Sequence, residues 1–142
     1  MLTLNGKLCL GASNAKYYKR CDGTMTSNTQ STANIKNASV WCGSGTTPPN
    51  VNDYALANPI TELTQVSNTY ATCETFGSDF VETITTTWQN NTSSDITVTE
   101  IGAMGYNTQA VLDSKVMIAR EVIEPVVIPA NGGQKTFTLQ IG

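Results

Sequence analysis

The end of the chain alternates between two kinds of side chain. Over residues 134–141 the odd positions include Phe137, Leu139 and Ile141, and every even position is threonine or glutamine. A period of two places successive side chains on opposite faces of a β-strand, so this segment is predicted to be a half-buried strand. No segment shows a convincing amphipathic helical pattern, and the chain has 22 threonines, whose β-branched side chains favour strands. The sequence therefore predicts an all-β fold.

Further segments have strand character and are separated by turn-forming residues. Residues 79–89 place Phe80, Ile84 and Trp88 on one face, which is predicted to point inward. The run 90–95 is rich in Asn and Ser and is predicted to join this strand to the next one as an antiparallel hairpin. The other predicted strands are residues 40–43, 61–75, 96–102 with a bulge near Glu100, and 116–123, which Glu124 and Pro125 interrupt. This many short strands predicts an antiparallel β-sandwich, immunoglobulin-like or jelly-roll-like.

The first 39 residues are predicted to form a region of their own beside a β-sandwich core spanning residues 40–142. Four leucines in the first ten residues fall on even positions, which is typical of a strand or extended arm. A hairpin turning at Asn5 and Gly6 is the alternative, and it would mix apolar and charged side chains on one face. Residues 11–39 are mostly polar, show no sustained period and are predicted to be a long loop. Because long loops often carry contacts to other subunits, the predicted assembly contacts are Leu2, Leu4, Tyr17, Tyr18 and Arg20.

The charge balance argues against several kinds of partner. The chain has 8 Lys and Arg against 11 Asp and Glu, a net charge of -3, with no block of basic residues. A nucleic-acid partner is therefore not expected. No apolar stretch approaches the roughly 18 to 20 residues that cross a bilayer, so we expect no membrane segment. The start of the sequence lacks a basic region followed by a long apolar run, so we expect no signal peptide.

The residue types also argue against cofactor chemistry. The chain has no histidine, the commonest general base and the commonest transition-metal ligand. Its four cysteines, Cys9, Cys21, Cys42 and Cys73, contain no Cys-x-x-Cys pair. We expect free, partly buried thiols, although two disulfides in any of three connectivities remain open. The prediction is that the protein uses no metal and no cofactor.

Candidate catalytic groups have simpler structural interpretations. Ser44 lies between two glycines but lacks the flanking pattern of a nucleophile elbow, and two prolines follow it. A pair of carboxylates could cleave a glycosidic bond, although carboxylates on strand faces are more often solvated. The available glutamates in the strand region are Glu82, Glu100, Glu121 and Glu124. We therefore expect that the chain is not an enzyme.

Three large side chains lie within apolar strands. Arg120 is one of two arginines and, if buried, needs a partner such as Glu100 or Glu121, so a structural ion pair is predicted. Trp41 and Trp88 are predicted to be core anchors. In the competing interpretation they line an exposed sugar-binding surface, as Tyr106 could also do.

Three segments resemble small structural proteins of tailed bacteriophage virions. They are WCGSGTTPPNVNDYALANPI at residues 41–60, TVTEIGAMGY at 97–106, and VMIAREVIEPVVIPANGGQKTFTLQI at 116–141. Together they cover roughly the last 100 residues, and the first 40 residues match nothing that can be placed. The resemblance implies a β-sandwich carried on a virion as a head decoration, head-fibre or tail component, without a catalytic residue.

This resemblance also sets expectations about partners. It implies binding to other capsid or tail proteins and self-association into a homo-oligomer, with synthesis in the host cytoplasm and a final location in the virion. A free-standing carbohydrate-binding or adhesin module is the alternative from another class, and the two overlap if a particle-borne sandwich also binds a host-surface glycan.

Overall fold

The computed structural model describes Met1, Thr3 and residues 19–25, 38–72, 82–105 and 115–141. These residues contain six strands and no helix. The strands are β1 (Ser39–Gly43), β2 (Thr64–Thr72), β3 (Glu82–Asn90), β4 (Ile96–Gly105), β5 (Val116–Ile128) and β6 (Gly133–Ile141). Every pairing between them is antiparallel. The predicted all-β class is confirmed.

The strands form two three-stranded sheets, one in the order β1-β4-β5 and the other in the order β2-β3-β6. One apolar core takes residues from both sheets, because inward side chains of all three strands of the first sheet meet those of β3 and β6. Its fully buried members include Val40, Ile84, Val98, Ile118 and Ile128. The core therefore lies between the sheets.

Alternation along the strands decides which side chains enter this core. In β3, Ile84, Thr86 and Trp88 are buried while the residues between them are half-exposed. In β6, Phe137 and Leu139 are each 5% exposed, and threonine and glutamine face outward. The inward face predicted for β3 is confirmed at Ile84 and Trp88, and so is the half-buried strand predicted for β6, whereas Phe80 lies outside the described residues.

A series of buried hydrogen bonds joins the two sheets at β1. The Val40 N–H donates to Thr86 Oγ1 at 2.8 Å, and the Trp88 indole N–H donates to Val40 O at 2.7 Å. Thr86 in turn donates to Asn68 Oδ1 at 2.6 Å, and Asn68 Nδ2 donates to Ala38 O at 2.9 Å. The free-energy cost of burying Thr86 is therefore small, because its hydroxyl both donates and accepts a hydrogen bond.

The predicted hairpin between β3 and β4 is wrong, because the two strands belong to different sheets. Asn90, which is fully buried, organises the connection between them. Its Nδ2 donates to Ser94 O at 2.8 Å and to Ile128 O at 3.0 Å, while its Oδ1 accepts from Thr92 N at 3.0 Å. These bonds turn the chain toward β5 in the other sheet. The sequence therefore predicts the position of the turn correctly, but its prediction that β3 pairs with β4 is wrong.

The predicted interruption at Glu124 and Pro125 is also wrong, because β5 continues for 13 residues through both. The pairing shifts here: Val98 faces Val126, whereas Glu100 faces Val122. Proline is tolerated because β5 lies at the edge of its sheet, where a missing N–H breaks no ladder bond. The pairing is irregular near Glu100, as predicted, but the additional residues, 123–125, lie in β5 and not in β4.

Part of the first 39 residues packs along the outer edge of β5. Arg120 N donates to Met1 O at 2.9 Å, and Thr3 N donates to Ile118 O at 3.0 Å. Further along the edge, Arg20 forms an antiparallel bridge with Val116. The predicted arm and loop otherwise lie outside the described residues, and so do Leu2, Leu4, Tyr17 and Tyr18 among the predicted contacts.

Candidate functional site

Arg120 of β5 is the centre of a buried ion network, with only 2% of its surface exposed. Its Nε donates to Glu100 Oε2 at 2.8 Å and its Nη1 to Asp53 Oδ2 at 2.9 Å. Its Nη2 donates to the main-chain oxygen of Thr47 at 2.8 Å. The predicted ion pair is confirmed with Glu100. The other predicted partner, Glu121, is exposed and accepts a hydrogen bond from the Met1 ammonium group.

The Glu100 carboxylate is fully buried and accepts three main-chain hydrogen bonds in addition to the arginine. The donors are Gly45 N at 3.1 Å, Ala57 N at 3.1 Å and Asn58 N at 2.8 Å. A buried carboxylate with a cation and this many donors is well compensated for the loss of water.

The carboxylate also explains the glycines on both sides of Ser44. A Cβ added at Gly43 would come within 2.4 Å of Glu100 Oε1, and one added at Gly45 within 2.6 Å. A Cβ at Gly43 would also meet Asn58 O at 2.8 Å and one at Gly45 would meet Ala57 Cβ at 2.6 Å, so movement of the carboxylate alone would not admit a larger side chain. Ser44 itself is exposed and its Oγ accepts from Asn58 Nδ2 at 2.6 Å, so the Gly-Ser-Gly sequence makes room for Glu100.

Asp53 closes a tight turn and pairs with Arg120 at the same time. Asn50 N donates to Asp53 Oδ2 at 2.8 Å, Asp53 N donates to Asn50 O at 3.0 Å, and Asn52 N donates to Asn50 Oδ1 at 2.9 Å. These side chain to main chain bonds are typical of Asx turns. Residues 50–53 therefore form a turn whose last residue also binds Arg120.

The ion network joins three segments that are far apart in sequence, residues 41–60, 97–106 and 116–141. Thr47 and Asp53 come from the first segment, Glu100 from the second and Arg120 from the third. Each nitrogen of the guanidinium group donates to a partner. These hydrogen bonds hold residues 44–58 against the sheet. The role that the network supports is to fix the position of this loop.

A small second core lies beneath this loop and contains Leu56, Met104 and Met117, with Cys21 and Trp41 packed against it. The Cys21 thiol lies 3.7 Å from Met104 Sδ. Burial lowers the pKa of Lys115, which lies with its Nζ 5.9 Å from the centre of the Trp41 ring. Cys21 and Cys42 are both thiols rather than halves of a disulfide, as predicted; Cys9 and Cys73 lie outside the described residues.

The two tryptophans differ in exposure. Trp88 is 4% exposed and anchors the core as predicted. Trp41 is half-buried, and its Nε1 donates to Ser39 Oγ at 2.8 Å. Their rings lie 5.0 Å apart and are tilted by 59°, within the range of favourable aromatic pairs. Neither ring stands free as a stacking surface, and Tyr106 lies outside the described residues.

Arg20 is the one predicted assembly contact within the described residues. Its Nη1 donates to Met25 O at 2.8 Å and to Thr24 Oγ1 at 3.2 Å. The side chain of Arg20 therefore stabilises the turn formed by residues 20–25. Next to it, Lys19 Nζ lies 3.9 Å from the centre of the Tyr54 ring. This cation–π contact ties residues 19–25 to the loop that Asp53 organises.

An open groove of about 380 Å³ lies beside the first residues of β4. Its walls combine hydroxyl groups, one carboxylate and two isoleucines: Ser44, Ile60, Glu62, Thr92, Ser94, Ile96 and Thr97. Glu62 Oε2 accepts from Thr61 N at 3.2 Å. Sequence reasoning missed this groove, because three separate stretches of chain form it and none of them carries a motif.

Within the residues described, no three metal-binding side chains come together. The same part of the chain contains no helix that is long and apolar enough to cross a membrane. No protein-family model matches the chain, and no curated protein or solved structure matches it significantly.

Proposed function

We propose that this chain is a structural protein of a tailed-bacteriophage virion, a capsid decoration or head-fibre subunit that acts by protein–protein assembly rather than by catalysis. One observation carries the proposal. The three segments that resemble virion proteins lie far apart in sequence, yet they meet at the Arg120 network, which uses their charged residues to fix a loop. A tail or neck component is the close alternative position on the particle.

The architecture that fits this role is a β-sandwich, of immunoglobulin-like or jelly-roll-like type. Two three-stranded antiparallel sheets with a shared apolar core support it. Such a sandwich is a rigid body that presents loops and an arm to its neighbours. Many copies on a symmetric shell would multiply weak individual contacts through avidity.

The first 39 residues are the proposed attachment region, and Leu2, Leu4, Tyr17, Tyr18 and Arg20 are the proposed contacts with other virion proteins. Tyrosine and arginine are enriched at protein interfaces. The contacts of Met1, Thr3 and Arg20 with β5 support this proposal, because they fix where the region meets the core.

The test is a truncation assayed on particles that lack the protein. A chain without residues 1–37 keeps all six strands but loses the hydrogen bonds of Met1 and Thr3 to β5, so circular dichroism and thermal unfolding are measured first to establish that it is folded. When mixed with such particles, the full chain should bind and the truncated chain should not. Equal binding of the two chains would overturn the proposed attachment region, and failure of the full chain to bind would count against the virion role.

A carbohydrate-binding module is the second candidate, and the groove beside Ser44 and Thr97 favours it. Hydroxyl groups, a carboxylate and two isoleucine side chains suit a small polyhydroxylated ligand. Isothermal titration with neutral oligosaccharides tests this candidate. Binding that Thr97→Arg abolishes and Thr138→Arg preserves would support it, and absence of heat with any glycan would count against it.

A further inference from the structure

The first sheet has both of its edges covered. At β1, Val40 N and O bond to side chains of β3, Ile60 N donates to Cys42 O at 3.0 Å, and Ser44 N donates to Asn58 O at 2.9 Å. At β5, Met1, Thr3 and Arg20 occupy the first half of the edge. The second half carries Pro125 and a bulge. Prolines and bulges are the usual means by which proteins prevent association at a sheet edge.

The second sheet is different. Among the described residues no strand pairs with the outer edge of β2 or of β6. The β2 edge is interrupted by a bulge at Val66. The β6 edge has no such interruption: its nine residues pair with β3 in an unbroken register, contain no proline and include one charge, Lys135. A long, regular and nearly uncharged edge is a template for another strand.

We propose that β6 is a self-association edge, which pairs antiparallel with β6 of a second copy of this chain about a two-fold axis near Phe137. The two three-stranded sheets would then form one continuous six-stranded sheet. This inference deepens the proposed function, on which it rests for its biological purpose, by naming a second copy as the partner and β6 as the surface.

The register follows from length and charge. Centring the axis on Phe137 pairs all nine residues of each strand, from Gly133 opposite Ile141 to Thr136 opposite Thr138. Lys135 then faces Leu139, so no like charges oppose each other. A register centred on Lys135 would place two ammonium groups face to face and would leave residues unpaired, which is unfavourable in an antiparallel pair.

The outward face of the sheet fits the same pairing. Thr85 and Thr138 share a hydrogen bond at 3.2 Å, and Thr87 and Thr136 share one at 2.8 Å. These bonds fix the outward threonines in rows that the second copy would continue, because Thr136 and Thr138 become cross-strand neighbours. Thr–Thr pairs stabilise antiparallel strands.

The expected dimer is weak. One strand pair buries far less than the roughly 1,600 Å² of a standard stable interface. The contact should therefore form at high local concentration, such as on a particle surface, and dissociate on dilution.

Two variants at the same positions test the pairing. In the first, Thr136→Lys with Thr138→Lys, introduced lysines oppose each other twice across the axis. In the second, Thr136→Glu with Thr138→Lys, each introduced carboxylate opposes an introduced ammonium group. Both positions are exposed, so the fold should persist in both variants, as circular dichroism checks. Sedimentation equilibrium should give the two-lysine variant a roughly tenfold weaker dimer than wild type, and the charge-paired variant one at least as tight as wild type.

Three results would overturn the inference: wild-type protein that stays monomeric up to about 1 mM, equal dimer affinity of the two variants, or a dimer whose β6 amides gain no protection from hydrogen exchange relative to the dilute monomer. The exchange measurement needs no substitution. A monomer that is still a component of purified particles would overturn this inference alone, whereas a dimer that is absent from particles would overturn the proposed function alone.

Discussion

Arg120 illustrates how far single residues could be predicted. A lone arginine inside an apolar strand requires a carboxylate, and Glu100 was one of two candidates named from the sequence. Asp53 and Thr47 could not be found in this way, because they lie 67 and 73 residues from Arg120 and belong to a loop without a strand pattern. Sequence indicates that a buried charge needs partners, and tertiary structure decides which partners reach it.

Removing the arginine should unfold part of this network. Arg120→Met leaves the fully buried Glu100 carboxylate without its cation, which typically costs about 3–5 kcal/mol of the free energy of unfolding. Urea denaturation measures the loss. The neighbouring exposed carboxylate provides the control, because Glu121→Gln should stay within about 0.5 kcal/mol of wild type. A loss below about 1 kcal/mol for Arg120→Met would show that the network does not hold the loop.

The two described thiols should differ in reactivity. Burial raises the pKa of the Cys42 thiol from 9.0 to about 12, so at pH 8 it stays protonated and inert. We expect iodoacetamide to label Cys21, which is half-buried, before Cys42, with peptide mass spectrometry as the measurement. Labelling of Cys42 as fast as Cys21 in the native protein would contradict the buried position.

The same shift predicts a pH dependence of stability. Between about pH 9 and about pH 12 the unfolded chain loses the Cys42 proton and the native chain keeps it. The contribution of this thiol to stability is therefore complete below pH 9 and declines as the pH rises further. Cys42→Ala should flatten this alkaline decline, which urea titrations at pH 8 and pH 10 would detect.

At the scale of strands, the sequence located the elements better than it paired them. Alternation over β3 and β6 and the turn formers after Asn90 are local properties, and the structure contains each of them. Whether a turn returns the chain to the same sheet depends on longer-range bonds, such as that from Asn90 Nδ2 to Ile128 O, 38 residues away. The hairpin prediction failed for this reason. The predicted interruption at Pro125 failed for a similar reason, because a strand tolerates proline when it lies at the edge of its sheet, and the sequence does not show that β5 does.

Asn90 should therefore be more important than its neighbour Asn91. Asn90→Ala leaves the buried Ile128 main-chain oxygen without the Asn90 donor and should destabilise the fold by about 1–3 kcal/mol, whereas Ser94 O still accepts from Thr92 Oγ1. Asn90→Asp should be similarly harmful, because a carboxylate keeps the bond from Thr92 N but cannot donate to Ser94 O or Ile128 O. Asn91→Ala is the matched exposed control and should change little. Equal thermal unfolding temperatures of Asn90→Ala and Asn91→Ala would contradict this role of Asn90 in the connection between β3 and β4.

At the scale of the molecule, composition and period were sufficient for the all-β class, because 22 threonines and repeated alternation leave little room for helices. They were not sufficient to assign each strand to a sheet or to find the groove beside Thr97. The relation between the sheets depends on contacts such as that of Val40 with Thr86, which are 46 residues apart and whose polar groups give no periodic pattern. The sequence also does not show that the edges of the β1-β4-β5 sheet are covered while β6 forms an open edge of the other sheet among the described residues, because this depends on the order of the strands.

Membership of a phage particle is the property on which the proposed function depends. Under the proposed function a phage encodes the chain, and the most direct measurement is quantitative mass spectrometry of purified particles of that phage, with the copy number of the chain taken relative to the major capsid protein. We expect the protein to be present on the order of hundreds of copies, as a decoration subunit on a symmetric shell requires. About a dozen copies would move it to the neck, tail or a fibre. Absence from purified particles would contradict the virion role and leave the carbohydrate-binding module as the function to pursue.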